Sequence, residues 1–168
     1  MSTKFNKTNL VGWIVFILVF TVYYFSVERS GSLWDCGEFV LGAYKLQVVH
    51  PPGAPLFLII GRLFAWIASV FSDNPSYIAF GVNLMSAACS ALAATFVCWI
   101  TMMFGRLSMY GRDYQNEGNE GWAMLGSGLV AGLSTGFIST TWFSAVEGEV
   151  YSCLLYTSPS QRDRTRSR

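Results

Sequence analysis

The sequence predicts an all-α integral membrane protein built from three transmembrane helices and one amphipathic helix lying in the membrane plane. Three observations carry this expectation. Charged residues are only 12% of the 168-residue chain while 52% are hydrophobic, about half the charge of an ordinary soluble domain. Three uncharged runs, Leu10 to Val27, Tyr77 to Phe104 and Trp122 to Phe143, are each long enough to cross ~30 Å of hydrocarbon. A fourth apolar run, Pro55 to Phe71, is shorter and carries Arg62 at its centre.

Each element follows from its residues. Lys4 and Lys7 precede the first run as the basic region of a signal peptide would. The run exceeds a usual signal core and no A-x-A site follows, so an uncleaved anchor is expected. In Pro55 to Phe71, Arg62 would cost about 2.5–3.5 kcal/mol at mid-bilayer. An in-plane helix avoids that cost. Leu56, Ile59, Ile60, Leu63, Ile67 and Val70 then form one apolar face, with Arg62, Ala65 and Ser69 on another. With Lys4 and Lys7 inside, parity puts Glu28 to Ser76 and the chain from Ser144 outside. Both acid-bearing segments, WDCGEF and SAVEGEVYS, then share one side. The Arg106 to Gly121 loop has only two arginines, so the positive-inside rule supports this weakly. Gly128, Gly132 and Gly136, and Ser86, Ala87, Ser90, Ala91 and Ala94, are small-residue faces for close helix packing.

The last sixteen residues, CLLYTSPSQRDRTRSR, break with this texture. CLLYTS matches the in-frame translation of a transposon end used to tag sequencing libraries, so residues 153–168 are read as a non-native tail. They hold four of the eleven basic residues; without them the chain has seven basic and nine acidic residues, a net charge of −2. A basic nucleic-acid tail is therefore not indicated. Cys36, Cys89 and Cys98 have no C-x-x-C spacing, and the single histidine, His50, adds no ligand set, so no zinc site is expected. With neither a P-loop nor a G-x-G-x-x-G, no nucleotide or dinucleotide cofactor is expected.

What remains is acid chemistry at the membrane edge. Asp35 and Glu38 share one helical face, continued by Gly42 and Lys45. A carboxylate partly desolvated beside the bilayer gains proton affinity and can act as a general base. The same spacing also suits two acids that merely solvate a loop. His50, before Pro51 and Pro52, suits either a ligand contact or a rigid extended entry to the next helix. Spacing does not choose between these readings.

The combination of WDCGEF, AYKLQV, HPPGAPLF and SAVEGEVY resembles the amino-terminal part of glycosyltransferase family 117, a multi-pass family grouped with protein O-mannosyltransferases. The likeness covers nearly all of residues 10 to 152, and residues 1 to 152 are read as the amino-terminal part of one transmembrane domain. More broadly the pattern is similar to the GT-C superfamily, implying a GT-C-like bundle. Asp35 matches the first-loop acid of that superfamily. Cys36 stands where related O-mannosyltransferases often have a second acid, and Glu38 is its candidate replacement. His50 matches a basic residue before Pro-Pro that meets lipid phosphate in a related aminoarabinose transferase.

The resemblance implies transfer of a sugar, mannose being the expected one, from a polyprenyl-phosphate carrier to a hydroxyl acceptor, expected to be protein. This would occur on the outer or lumenal side of a bacterial inner membrane or its equivalent. Asp35 would be the base, with Glu38 beside it as a second catalytic candidate. Glu147 and Glu149 would orient sugar or acceptor hydroxyls, and His50 and Arg62 would meet the phosphate. No soluble cofactor is implied, whereas a divalent metal on the carboxylates and phosphate is left open. The chain is expected to be a fragment that does not turn over alone. A transport or assembly protein with outer acidic loops is the rival class. It predicts acids inside the spans, and Tyr77 to Phe104 and Trp122 to Phe143 contain none. A non-catalytic scaffold is a third reading.

Overall fold

The computed structural model describes residues 7–29, 35–49, 54–72, 74–111 and 121–148, and every regular element among them is an α-helix. In order these are α1 (Lys7–Ser26), α2 (Cys36–Lys45), α3 (Pro55–Phe71), α4 (Pro75–Tyr110), α5 (Trp122–Phe137) and α6 (Ser139–Val146). The all-α membrane class expected from the sequence is the class observed. Helices α1 and α4 are each long and apolar enough to cross a bilayer, and α5 with α6 meets the same test as a bent pair. The tail, residues 153–168, lies outside the described residues.

Helix α4 is the central post, packed by α1, α3, α5 and α6. The small residues explain how closely. Ser86, Ala87, Ser90, Ala91 and Ala94 are all fully buried on α4. A Cβ added to Gly132 on α5 would stand 2.9 Å from Cys98 Cβ, 3.0 Å from Val15 Cγ1 and 3.1 Å from the Ala94 carbonyl. Backbone thus meets backbone where α1, α4 and α5 converge, and lipid offers no hydrophobic drive to replace that contact. Gly12 abuts Trp99, and the Glu28 carbonyl meets Asn83. The intervals along α1 and α4 are equal, so the two helices run antiparallel in step. Residues 75–82 of α4 therefore extend past the end of α1 by roughly 12 Å at 1.5 Å per residue.

The run Trp122 to Phe143, expected as one span, is instead two helices bent by 59° at Ile138. Ile138 has extended dihedrals (φ −65°, ψ 139°), so the helical hydrogen-bond ladder is interrupted there. The Tyr23 hydroxyl donates to the Gly136 carbonyl, in the turn just before the break. A side chain from α1 thereby satisfies a carbonyl that a continuous helix would have bonded internally, as non-helical backbone at membrane depth requires.

Most of the apolar face expected on α3 turns outward, and other residues make its docking seam. Phe57, Leu58, Gly61 and Ala65 are buried against α2 and α4, whereas Leu56, Ile59, Leu63, Ile67 and Val70 face outward. Gly61 is the reason. A Cβ there would lie 2.9 Å from Ala43 Cβ, so the glycine lets α2 and α3 touch and turns the bulkier apolar residues away from the bundle. Phe64 and Ala68 lie on Gly81, and Gly61 faces Val82 and Met85, which places α3 beside the early turns of α4. At 17 residues, α3 is roughly 25 Å long, short of a full crossing.

Candidate functional site

At the end of the bundle where α1 stops, four chain segments meet on one fully buried amide. Asn83, in the third turn of α4, donates from Nδ2 to the Glu28 carbonyl at 2.9 Å. The Glu28 N–H in turn donates to the Val146 carbonyl at 3.1 Å, fastening the end of α1 to the last residue of α6. The Cys36 thiol, at the first residue of α2, lies 3.8 Å from Asn83 Oδ1 as a weak donor, and its sulfur accepts from the Gly148 N–H at 3.3 Å. A buried polar group must find partners, and here they are the chain just beyond α1 and the start of α2, each of which is bonded in turn to the end of α6.

Gly148 is required by this closeness. A Cβ added there would stand 2.7 Å from Asn83 Oδ1 and 3.4 Å from Cys36 Sγ. Any larger residue would push α6's exit away from the amide.

The acids flank these contacts. Asp35 immediately precedes Cys36 and occupies the cap position of α2, where it makes no side-chain capping bond to the helix. Glu38 lies in the first turn of α2, and both residues are exposed. Glu147 ends α6, half-buried, immediately before Gly148. Asp35, Glu38 and Glu147, predicted as site residues from segments far apart in sequence, thus gather at one end of the bundle. Glu149 and His50 lie outside the described residues.

Arg62 lies elsewhere. Its guanidinium donates to the Tyr44 carbonyl and sits over the Tyr44 ring at 5.2 Å from the centroid. Tyr44 is near the carboxyl end of α2, roughly 13 Å along the helix from Asp35. A cation suits the exposed carbonyls there, and the planar guanidinium can bond one and stack on the ring together. Arg62 therefore braces α2 against α3, and the structure does not bring it beside the acids. Among the described residues, no group of three or more His, Cys, Asp or Glu side chains could hold a metal ion.

Asn83 and Gly148 were not predicted from the sequence. The signal for Asn83 was present, because it is the one carboxamide in the uncharged run Tyr77 to Phe104, and polar side chains inside a span mark helix contacts or function. Cys36 also gains a role. Fully buried and bonded through sulfur, it sits where a second carboxylate would have no water, so the second acid of the expected pair cannot be accommodated there in ionised form.

Comparison with known proteins identifies the family. The family model described as "Protein O-mannosyl-transferase TMEM260 N-terminal domain" matches residues 35–158, a stretch holding both acidic segments and Asn83 and reaching six residues into the tail. A Dictyostelium discoideum protein named protein O-mannosyl-transferase tmem260 is 24% identical over 151 residues, covering 89% of this chain and 16% of the relative. The Mus musculus protein of the same name is 29% identical over 138 residues, covering 82% of this chain and 16% of the relative. The chain thus spans about one sixth of the length of these relatives. No solved structure matches significantly. With its helical architecture and with a family match over most of its length, the chain belongs to the TMEM260 amino-terminal domain family of protein O-mannosyl-transferases.

Proposed function

We propose that this segment forms the acid-bearing wall of a membrane mannosyltransferase that takes its sugar from a polyprenyl-phosphate carrier and gives it to a protein hydroxyl. The single observation supporting this is the Asn83 junction, which holds the Asp35 and Glu38 helix against the Glu147 turn. The acceptor oxygen attacks the anomeric carbon, its proton passes to the Asp35 carboxylate, and the bond from that carbon to the phosphate oxygen breaks. Its electron pair leaves on the lipid phosphate. An oriented carboxylate is the base such a hydroxyl needs, and a carboxylate from a second segment can fix a sugar or acceptor hydroxyl. Glu38 and Glu147 take that orienting role, with Glu149 and His50 assigned to hydroxyl and phosphate contacts from sequence alone. The acids face the outer or lumenal side, and the longer protein supplies the remaining walls of the site.

Asp35→Asn in the full-length protein tests this. It keeps the shape of the loop and removes the base, so mannose transfer from a polyprenyl-phosphate mannose to a serine- and threonine-containing peptide should fall by about 10²–10⁴-fold at equal protein level. Transfer within a few fold of wild type would remove Asp35 from the reaction.

A further inference from the structure

Beside the junction lies a cleft of about 290 Å³ lined by Tyr24 of α1, Arg29 just beyond it, and Ser76, Tyr77 and Phe80 of α4. We propose that this cleft holds the phosphate headgroup of the isoprenoid carrier, with Arg29 as its cation. The proposal rests on the transferase reading above and names the residues that would receive the leaving phosphate.

Four observations carry it. The volume is at the small end of ligand pockets, enough for a headgroup but not for a lipid tail. The lining combines one guanidinium with three hydroxyls, Ser76, Tyr24 and Tyr77, and a guanidinium with hydroxyl donors is the set that binds a phosphate monoester. The cleft also adjoins the Asn83 junction. Arg29 directly follows Glu28, whose carbonyl accepts from Asn83, and Phe80 lies one helical turn from Asn83. A leaving phosphate has to lie near the base for one sugar to touch both.

The fourth observation concerns the tail. Tyr24 packs edge-on against Phe80 at 5.9 Å, Phe20 lies one turn further along α1 and stacks on Phe16 at 5.6 Å, and Phe16 meets Trp13 at 5.7 Å. An aromatic track therefore runs from the cleft down α1 in the direction of the membrane interior, and an unsaturated, methyl-branched isoprenoid chain suits such a surface. The adjoining junction and this track together favour the carrier over an ordinary phospholipid.

The test measures binding, not turnover. Full-length protein in phosphatidylcholine nanodiscs would be titrated with tritiated polyprenyl monophosphate and, separately, with the neutral polyprenol. Arg29→Gln should weaken monophosphate binding by about tenfold or more while leaving polyprenol binding unchanged, and Arg29→Lys should recover part of the loss. Ser76→Ala, a small change at the start of α4, should weaken it about threefold. Unchanged monophosphate affinity in Arg29→Gln overturns the proposal. An equal, Arg29-dependent displacement by phosphatidylglycerol overturns it as well, assigning the cleft to bulk anionic lipid. Since no transfer is scored, loss of activity in Asp35→Asn with Arg29-independent binding would refute this site and spare the transferase reading. The converse result would do the opposite.

Discussion

Replacing Asn83 by leucine isolates the junction from the rest of the bundle. Leucine is close in size to asparagine, so the cavity term is small. What is lost is the 2.9 Å bond to the Glu28 carbonyl and the weak 3.8 Å contact with the Cys36 thiol. A net hydrogen bond contributes about 0.5–1.5 kcal/mol, and side-chain bonds between membrane helices average about 0.6. Leaving the Glu28 carbonyl unpartnered adds to this, so unfolding in mixed detergent should show a loss of about 1–2 kcal/mol. The helices stay assembled. Catalysis should suffer far more, because the same amide sets the positions of Asp35 and Glu147, and a 1 Å misplacement can cost about 10²-fold. Transfer per folded molecule is the readout, with folded protein measured by size-exclusion chromatography. Wild-type transfer by Asn83→Leu, with the expected loss of stability, would refute the reasoning, since the junction would then hold helices without placing acids. Gly148→Ala probes the same point from the other side. Its Cβ would meet Asn83 Oδ1 at 2.7 Å, so it should impair transfer alone and much less in an Asn83→Ala background, the coupling expected of touching residues.

Two further outcomes follow from the packing. Tyr23→Phe removes the hydroxyl donor to the Gly136 carbonyl beside the α5 to α6 break and should lower stability by about 1 kcal/mol, read by the same detergent unfolding; an unchanged unfolding midpoint would mean another group satisfies that carbonyl. Arg62→Lys keeps the charge and loses the planar contact with Tyr44, so it should cost about 0.5–1 kcal/mol of stability and leave KM for the lipid donor unchanged, whereas a raised KM with normal kcat would return Arg62 to the phosphate.

Composition and run length made the fold class legible, because a bilayer imposes a minimum length on every uncharged helix. The glycine and small-residue faces were legible for a related reason: at Gly132 only a hydrogen leaves room for Cys98 and Val15, and nothing but packing requires such a row. The break at Ile138 was not. Its sequence, GFIST, contains no proline, and the bend depends on a tyrosine donor reaching from α1, a tertiary contact that no local pattern encodes. The apolar face of α3 was legible, but the seam by which it docks was not. A wheel ranks faces by apolarity, but in a membrane the most apolar face has no need to turn inward, and Gly61 decided the matter by admitting Ala43.

The candidate site was legible in its acids and illegible in what joins them. Asp35, Glu38 and Glu147 are recognisable because charge beside a span is uncommon enough to invite a question. Their convergence depends on Asn83, which bonds a backbone carbonyl and a thiol, neither with a sequence signature at a fixed spacing. Arg62 is the converse case, a charge inside an apolar run for which the structure supplies an internal partner, the Tyr44 carbonyl. A cation on an apolar helix can meet either a substrate anion or the exposed carbonyls at the end of a neighbouring helix. Only the register of α2 against α3, set by Gly61 on Ala43, brings the Tyr44 carbonyl within reach of Arg62. Its guanidinium thereby serves the helix that carries the acids, so a change at Arg62 should reach the chemistry through the angle of α2 rather than through the phosphate.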